Sequence, residues 1–102
     1  MKRARYHVAA RDELRSAISH GEDERPGRGV SLEESVRRVI RRIQLLPASA
    51  PRWPRLEAEI RRAKVRRHPY LVVYVVLPDQ LVVLAIAHTS KKPGYWRERI
   101  SK

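Results

Sequence analysis

The chain has no cysteine, few acidic residues (11, against 23 lysines and arginines) and no long hydrophobic run. Without cysteine it can form neither a disulfide framework nor a thiolate metal site, which fits a cytoplasmic protein. A membrane-spanning helix needs about 20 apolar residues, and the longest apolar runs here are residues 70–77 and 81–87. The basic start at residues 1–3 is followed by no such run, so we expect neither a signal peptide nor membrane association.

Motifs that mark metal, nucleotide or covalent chemistry are also lacking. The sequence has no glycine-rich phosphate loop, no serine or cysteine triad pattern and no ligand spacing typical of a metal site. We therefore expect no cofactor, and metal-dependent or covalent catalysis is disfavoured. Of the four histidines, His7 and His20 have no evident partner, and His68, which precedes Pro69 in a predicted turn, is expected to be structural.

What the chain has in excess is positive charge. Its formal net charge is +12, and residues 61–102 hold ten lysines and arginines against two acidic residues, which leaves +8 in that part. A field of this size favours an anionic partner such as RNA, DNA or an acidic protein segment. A length of 102 residues corresponds to one domain, residues 1–102, with one modest core.

The first half of the sequence predicts a helical hairpin. A short strand at residues 5–8 precedes a helix at residues 9–20, which Gly21 should end. The glycine- and proline-containing link then leads to a second helix, whose predicted capping box begins at Ser31 and ends at Glu34. Apolar residues recur along that helix at helical spacing, and Pro47 should end it. The stripe comprises Leu32, Val36, Val39, Ile40, Ile43 and Leu46.

The second half predicts three strands after a proline-rich loop at residues 47–59. Alternating charged and apolar side chains indicate a strand from residue 60 to residue 67, before Pro69 interrupts it. Residues 70–77 and 81–88 are rich in branched and aromatic side chains, and the turn at residues 78–80 makes them a hairpin. Because this hairpin lacks alternation, we expect both of its faces to be covered. The fold class is thus α+β, with two helices on a small antiparallel sheet.

These segments, in this order, resemble the RelE/ParE superfamily of toxins from type II toxin–antitoxin systems. The resemblance is carried by "RRAKVRRHPYLVVYVV", "LVVLAIAH" and "KKPGYWRER", and in the first half by "ELRSAI", "RPGRG" and "ESVRRVIRRIQLLP". It implies a sheet packed on two helices with a short basic tail, and a growth-arresting toxin held inactive by a cognate acidic antitoxin. The antitoxin would also cover the second face of the central hairpin.

The resemblance leaves two targets open. RelE-like members are metal-free ribonucleases that cut messenger RNA on the ribosome, whereas ParE-like members bind DNA gyrase and are not enzymes. We favour the ribonuclease here, with the gyrase inhibitor as the alternative. RNA cleavage needs a base, cations that stabilise the phosphorane, an acid and an aromatic group that stacks a nucleobase.

Five residues are candidates for that chemistry, four of them by their match to RelE-like positions. Arg62 and Lys64 take the place of paired lysines, Lys91 that of an arginine after the last strand, and Tyr95 that of a C-terminal tyrosine. His88, at the end of the last strand, could carry a proton near neutral pH or only make a structural hydrogen bond. We expect Arg62, Lys64 and Lys91 to share one concave site, with Tyr95 or His88 at its rim.

Three further expectations concern residues around these candidates. RelE has an arginine where this chain has Leu71, so one phosphate-stabilising cation is missing. The basic residues interleaved with Tyr95 and Trp96 suit phosphate contact and base stacking, but Trp96 is expected to pack on the sheet instead. The basic residues of this tail are Lys91, Lys92, Arg97 and Arg99, and the two tyrosines expected in the core are Tyr70 and Tyr74.

Overall fold

Two helices pack on one face of a four-stranded sheet. The computed structural model describes residues 1–101. The strand order in the sheet is first, fourth, third, second. In chain order the elements are β1 (Arg3–Tyr6), α1 (Val8–Glu24), α2 (Arg28–Leu45), β2 (Ile60–Lys64), β3 (Tyr70–Val76), β4 (Gln80–His88) and a 3₁₀ turn (Arg97–Ser101).

The α+β fold class and the central β3–β4 hairpin are confirmed, but the sheet is mixed. β2, β3 and β4 pair antiparallel, whereas β1 pairs parallel with β4, from Arg3 opposite Gln80 to Tyr6 opposite Val83. β1 lies two residues earlier than predicted because His7 already caps α1, with its ring Nδ1 accepting a hydrogen bond from the Ala9 amide at 3.0 Å.

The prediction that α1 ends at Gly21 is wrong, since the helix continues to Glu24. Gly21 lies inside the helix, at a point where the two helices approach closely. A Cβ at Gly21 would lie 3.3 Å from the backbone nitrogen of Gly29. A glycine inside a helix costs roughly 0.5–1 kcal/mol relative to alanine, and here it makes room for the neighbouring backbone.

The predicted capping box is also wrong, because α2 begins at Arg28, three residues before Ser31. Its first amides are capped by Glu22 of α1, whose carboxylate accepts hydrogen bonds from the amides of Gly27, Gly29 and Val30 at 2.9–3.3 Å. These backbone hydrogen bonds hold the pKa of Glu22 below its usual value. The predicted end before Pro47 is confirmed.

The apolar stripe of α2 faces the sheet in part. Leu32, Val36 and Ile43 are buried, whereas Val39 and Ile40 are half-buried. The buried ones join Tyr74 and other residues of the sheet in a core on its helical side. The expectation that Ile40 and Ile43 are both buried is therefore confirmed only for Ile43.

The other face of the sheet is covered by the chain itself. Trp53, from the segment between α2 and β2, and Trp96, which follows β4, meet edge to face with ring centroids 5.0 Å apart. Trp96 is 1% exposed, which confirms that it packs on the sheet. Leu56 and Ile100 complete this second core. The hairpin thus has no need of an antitoxin to cover this part of its second face.

Candidate functional site

Three of the five predicted site residues line one cleft. His88, Lys91 and Tyr95 surround a cavity of about 360 Å³ between α1 and the end of β4. α1 contributes Glu13 and His20 to the same cleft. The turn after β4 returns the chain towards α1, which brings these residues together.

The other two candidates lie on the opposite face of the sheet. Lys64 pairs with Leu71, which packs in the second core, whereas the next residue, Tyr70, packs on the helical side and pairs with His88. Side chains alternate between the faces of a strand, so Lys64 and Arg62 point away from the cleft. The Arg62 guanidinium lies 4.9 Å from the centre of the Trp53 ring. The five residues therefore do not form the single concave site that was expected.

The hydroxyl of Tyr95 is already engaged within the protein. It donates a hydrogen bond to Glu13 Oε2 at 2.7 Å. Burial and this carboxylate raise the pKa of Tyr95 far above its usual value. A phenol that holds its proton this firmly is a poor acid or base near neutral pH.

His88 makes a structural hydrogen bond at the end of its strand. Its Nδ1 accepts from the Ser90 amide at 3.0 Å and lies 2.7 Å from Ser90 Oγ. The ring also packs edge to face on Tyr70, with centroids 5.1 Å apart. Because Nδ1 accepts from an amide, the proton of the neutral ring is on Nε2. That nitrogen is the one through which His88 could act on a ligand.

Glu13 and Arg99 organise this region, and sequence reasoning missed their pairing. Two guanidinium nitrogens of Arg99 donate to the Glu13 carboxylate at 2.8 and 3.1 Å, and this pairing raises the pKa of Arg99. Arg99 also donates to the Leu84 carbonyl at 2.9 Å, and Glu13 accepts from the Ile86 amide at 3.1 Å. The pair thereby covers the edge of β4 beyond Val83, where β1 has ended. No local pattern connects residues so far apart in sequence.

Among the remaining histidines, His68 is held by a structural contact. His68 is 9% exposed, and its Nε2 lies 3.1 Å from Ser31 Oγ, in keeping with the structural role expected for it. Burial and the nearby Arg28 lower the pKa of His68. Within residues 1–101, no three histidine, aspartate or glutamate side chains come close enough to hold a metal ion.

No helix among residues 1–101 has the length and apolar character that crossing a membrane requires.

A search of curated proteins gave no match for the sequence. A solved structure described as the chromosomal ParDE toxin–antitoxin system from P. aeruginosa is similar in fold, with a TM-score of 0.74. The two chains are 16% identical, and the match covers 86% of this chain and 96% of that one. The model of the ParE toxin of the type II toxin–antitoxin system parDE matches residues 4–93. The chain therefore belongs to the ParE toxin family of type II toxin–antitoxin systems.

Proposed function

We propose that this ParE-family toxin arrests growth by binding DNA gyrase and that it does not cut RNA. The observation that carries the proposal is the family match over residues 4–93. This reverses the preference for a ribonuclease that the resemblance to RelE suggested.

The geometry of the ribonuclease candidates supports the same choice. Metal-free RNA cleavage requires cations, an acid and a base around one phosphate. Here Arg62 and Lys64 lie on one face of the sheet, while His88 and Lys91 lie by the cleft next to α1. Tyr95 has its hydroxyl bonded to Glu13. Among the described residues that line the cleft, Lys91 is the only lysine or arginine that a phosphate there would meet.

We further propose that a cognate acidic antitoxin neutralises the protein. The net charge of +12 favours a partner of opposite sign. The solved structure of similar fold is itself described as a ParDE toxin–antitoxin system. Co-expression with the antitoxin should restore growth, and the two proteins should purify together in low salt.

The gyrase proposal is tested by supercoiling assays with purified gyrase, ATP and relaxed plasmid. The protein should block supercoiling, and a Lys64→Ala/Lys91→Ala variant should block it as well as the parent. In parallel, messenger RNA is mapped on translating ribosomes treated with the same two proteins. Cuts associated with codons, made by the parent and lost in the double variant, together with normal supercoiling, would instead establish the RelE-like activity.

A pulse-labelling experiment in cells separates the two targets independently. After induction of the toxin alone, incorporation of thymidine should fall before incorporation of methionine. The reverse order would contradict a gyrase target, because loss of messenger RNA stops protein synthesis first.

A further inference from the structure

A cationic cleft lies at the end of the molecule where the helical hairpin meets the β2–β3 turn. It has a volume of about 440 Å³. Three arginines from separate segments line it: Arg25 at the end of α1, Arg28 at the start of α2, and Arg67 in the turn. Ser31 and His68 lie between them. The proposed function does not by itself explain why these three arginines line one cleft.

The arginines are only partly neutralised by carboxylates. Arg28 Nε lies 3.9 Å from Glu24 Oε1, in a pair that is partly exposed. Arg25 and Arg67 form no ion pair with any residue in the described range 1–101. Glu22, the other nearby acid, is already bonded to the first amides of α2. The side chains of the arginines, and not the helix end, are therefore available to an anion.

The backbone at Arg67 is in a conformation that favours glycine. Its φ is +68°, in the left-handed region, which is unfavourable for a residue with a Cβ. The turn is nevertheless closed by hydrogen bonds, including Val65 N to Tyr70 O at 3.0 Å. A glycine at this position would therefore be tolerated by the backbone.

The floor of the cleft is fixed and polar. His68 is 9% exposed and is held by the contact of its Nε2 with Ser31 Oγ. Among the described residues, no aromatic ring other than this imidazole lines the cleft, so they offer no platform on which a nucleobase could stack. Guanidinium groups instead match the oxygens of a phosphate, to which they can donate two parallel hydrogen bonds.

We propose that Arg25, Arg28 and Arg67 bind the phosphate backbone of duplex DNA. The choice of DNA rests on the proposed function, since gyrase works on a DNA segment that a bound toxin could touch. Phosphate contacts of this kind position a protein on DNA without reading its sequence.

The test uses two matched variants, Arg67→Gly and Arg55→Gly. Arg55 has a φ of +62° and lies in the segment between α2 and β2, away from the cleft. Both changes remove one positive charge and both relieve a positive φ, so both variants should fold. Binding of each protein to a fluorescent 20-base-pair duplex is measured by anisotropy over a range of salt concentrations.

We expect Arg67→Gly to bind the duplex several-fold more weakly than the parent. The slope of log K against log salt should fall by about 1, as for the loss of one phosphate contact. Arg55→Gly should keep the slope of the parent. Equal losses in the two variants, or no binding by the parent, would overturn the proposal.

Measurements of antitoxin binding and gyrase inhibition distinguish the DNA proposal from a protein interface and from the proposed function. If Arg67→Gly loses affinity for the antitoxin and keeps its affinity for DNA, the cleft is a protein interface and the DNA proposal is wrong. If the parent blocks gyrase and Arg67→Gly blocks it equally at all salt concentrations, the gyrase proposal stands and the DNA contact does not. If the parent does not affect gyrase, the proposed function fails, whatever the duplex assay shows.

Discussion

Replacing Glu13 with glutamine should destabilise the protein by about 2–3 kcal/mol. The Glu13 side chain is 23% exposed and its partner Arg99 is 18% exposed. Hydrogen bonds that involve a charged group contribute roughly 1.5–3 kcal/mol each, and removing one partner of a buried ion pair costs about 3–5 kcal/mol. We expect less than that upper range because Arg99 keeps its bond to the Leu84 carbonyl and because water reaches the pair.

The matched control is Asp12→Asn, one residue earlier on α1. Asp12 lies 3.7 Å from Arg15, and both side chains are mostly exposed, so this change should cost about 0–1 kcal/mol. The free energy of unfolding is measured for both variants by urea titration at pH 7, followed by circular dichroism. The two variants should differ in free energy of unfolding by well over about 0.5 kcal/mol. A smaller difference would refute the argument that Glu13 holds the tail on the edge of β4.

Four further predictions concern stability. Gly29→Ala should be strongly destabilising in thermal unfolding, because its Cβ would lie 2.4 Å from the Ile18 carbonyl oxygen, a backbone atom. Ile43→Ala should cost about 2–5 kcal/mol, and a cost no larger than that of Ile40→Ala would contradict the burial. The pKa of Glu22 is lower in the folded protein than in the unfolded chain. The stability that Glu22 adds is therefore present above the unfolded-state pKa and is lost as the pH falls through the folded-state pKa. Glu22→Gln should match the parent in free energy of unfolding only at acid pH. Burial and the bond to Glu13 raise the pKa of Tyr95 above its usual value of 10.0, so its contribution to stability is present below that pH and is lost as the pH rises further. Tyr95→Phe should therefore lose less stability at alkaline pH than the parent, and an unchanged slope of stability against pH would count against the bond to Glu13.

The helices and the central hairpin could be predicted from sequence because their signals are local. The periodicity of α2, the stop before Pro47 and the run of branched residues in β3 and β4 each depend on neighbours in the chain. The errors occurred where distant groups meet. Gly21 ends no helix because Gly29 packs on it, and Ser31 caps no helix because Glu22 takes the amides first.

The candidate site could not be predicted because its geometry depends on a bulge. Val73 pairs with Ala85 and Tyr74 pairs with Val83, so Leu84 is an extra residue in β4. Leu84 and Ala85 both face the second core. An extra residue in a strand moves every later side chain to the other face of the sheet, and no sequence signal marks the extra residue in β4. It places His88 on the helical side, away from Arg62 and Lys64.

The pairing of β1 with β4 also determines when the protein can first be complete during its synthesis. β1 and the helical hairpin leave the ribosome before the strand on which β1 pairs and against which α1 packs, because that strand begins at Gln80. At a synthesis rate of about 5–20 residues per second, the apolar side of the helical hairpin stays uncovered for several seconds until that strand is made. Arg99 must then follow before the edge of β4 is covered. The nascent toxin therefore acquires its full sheet only after β4 has been made, and until then its helices are exposed to chaperones and proteases.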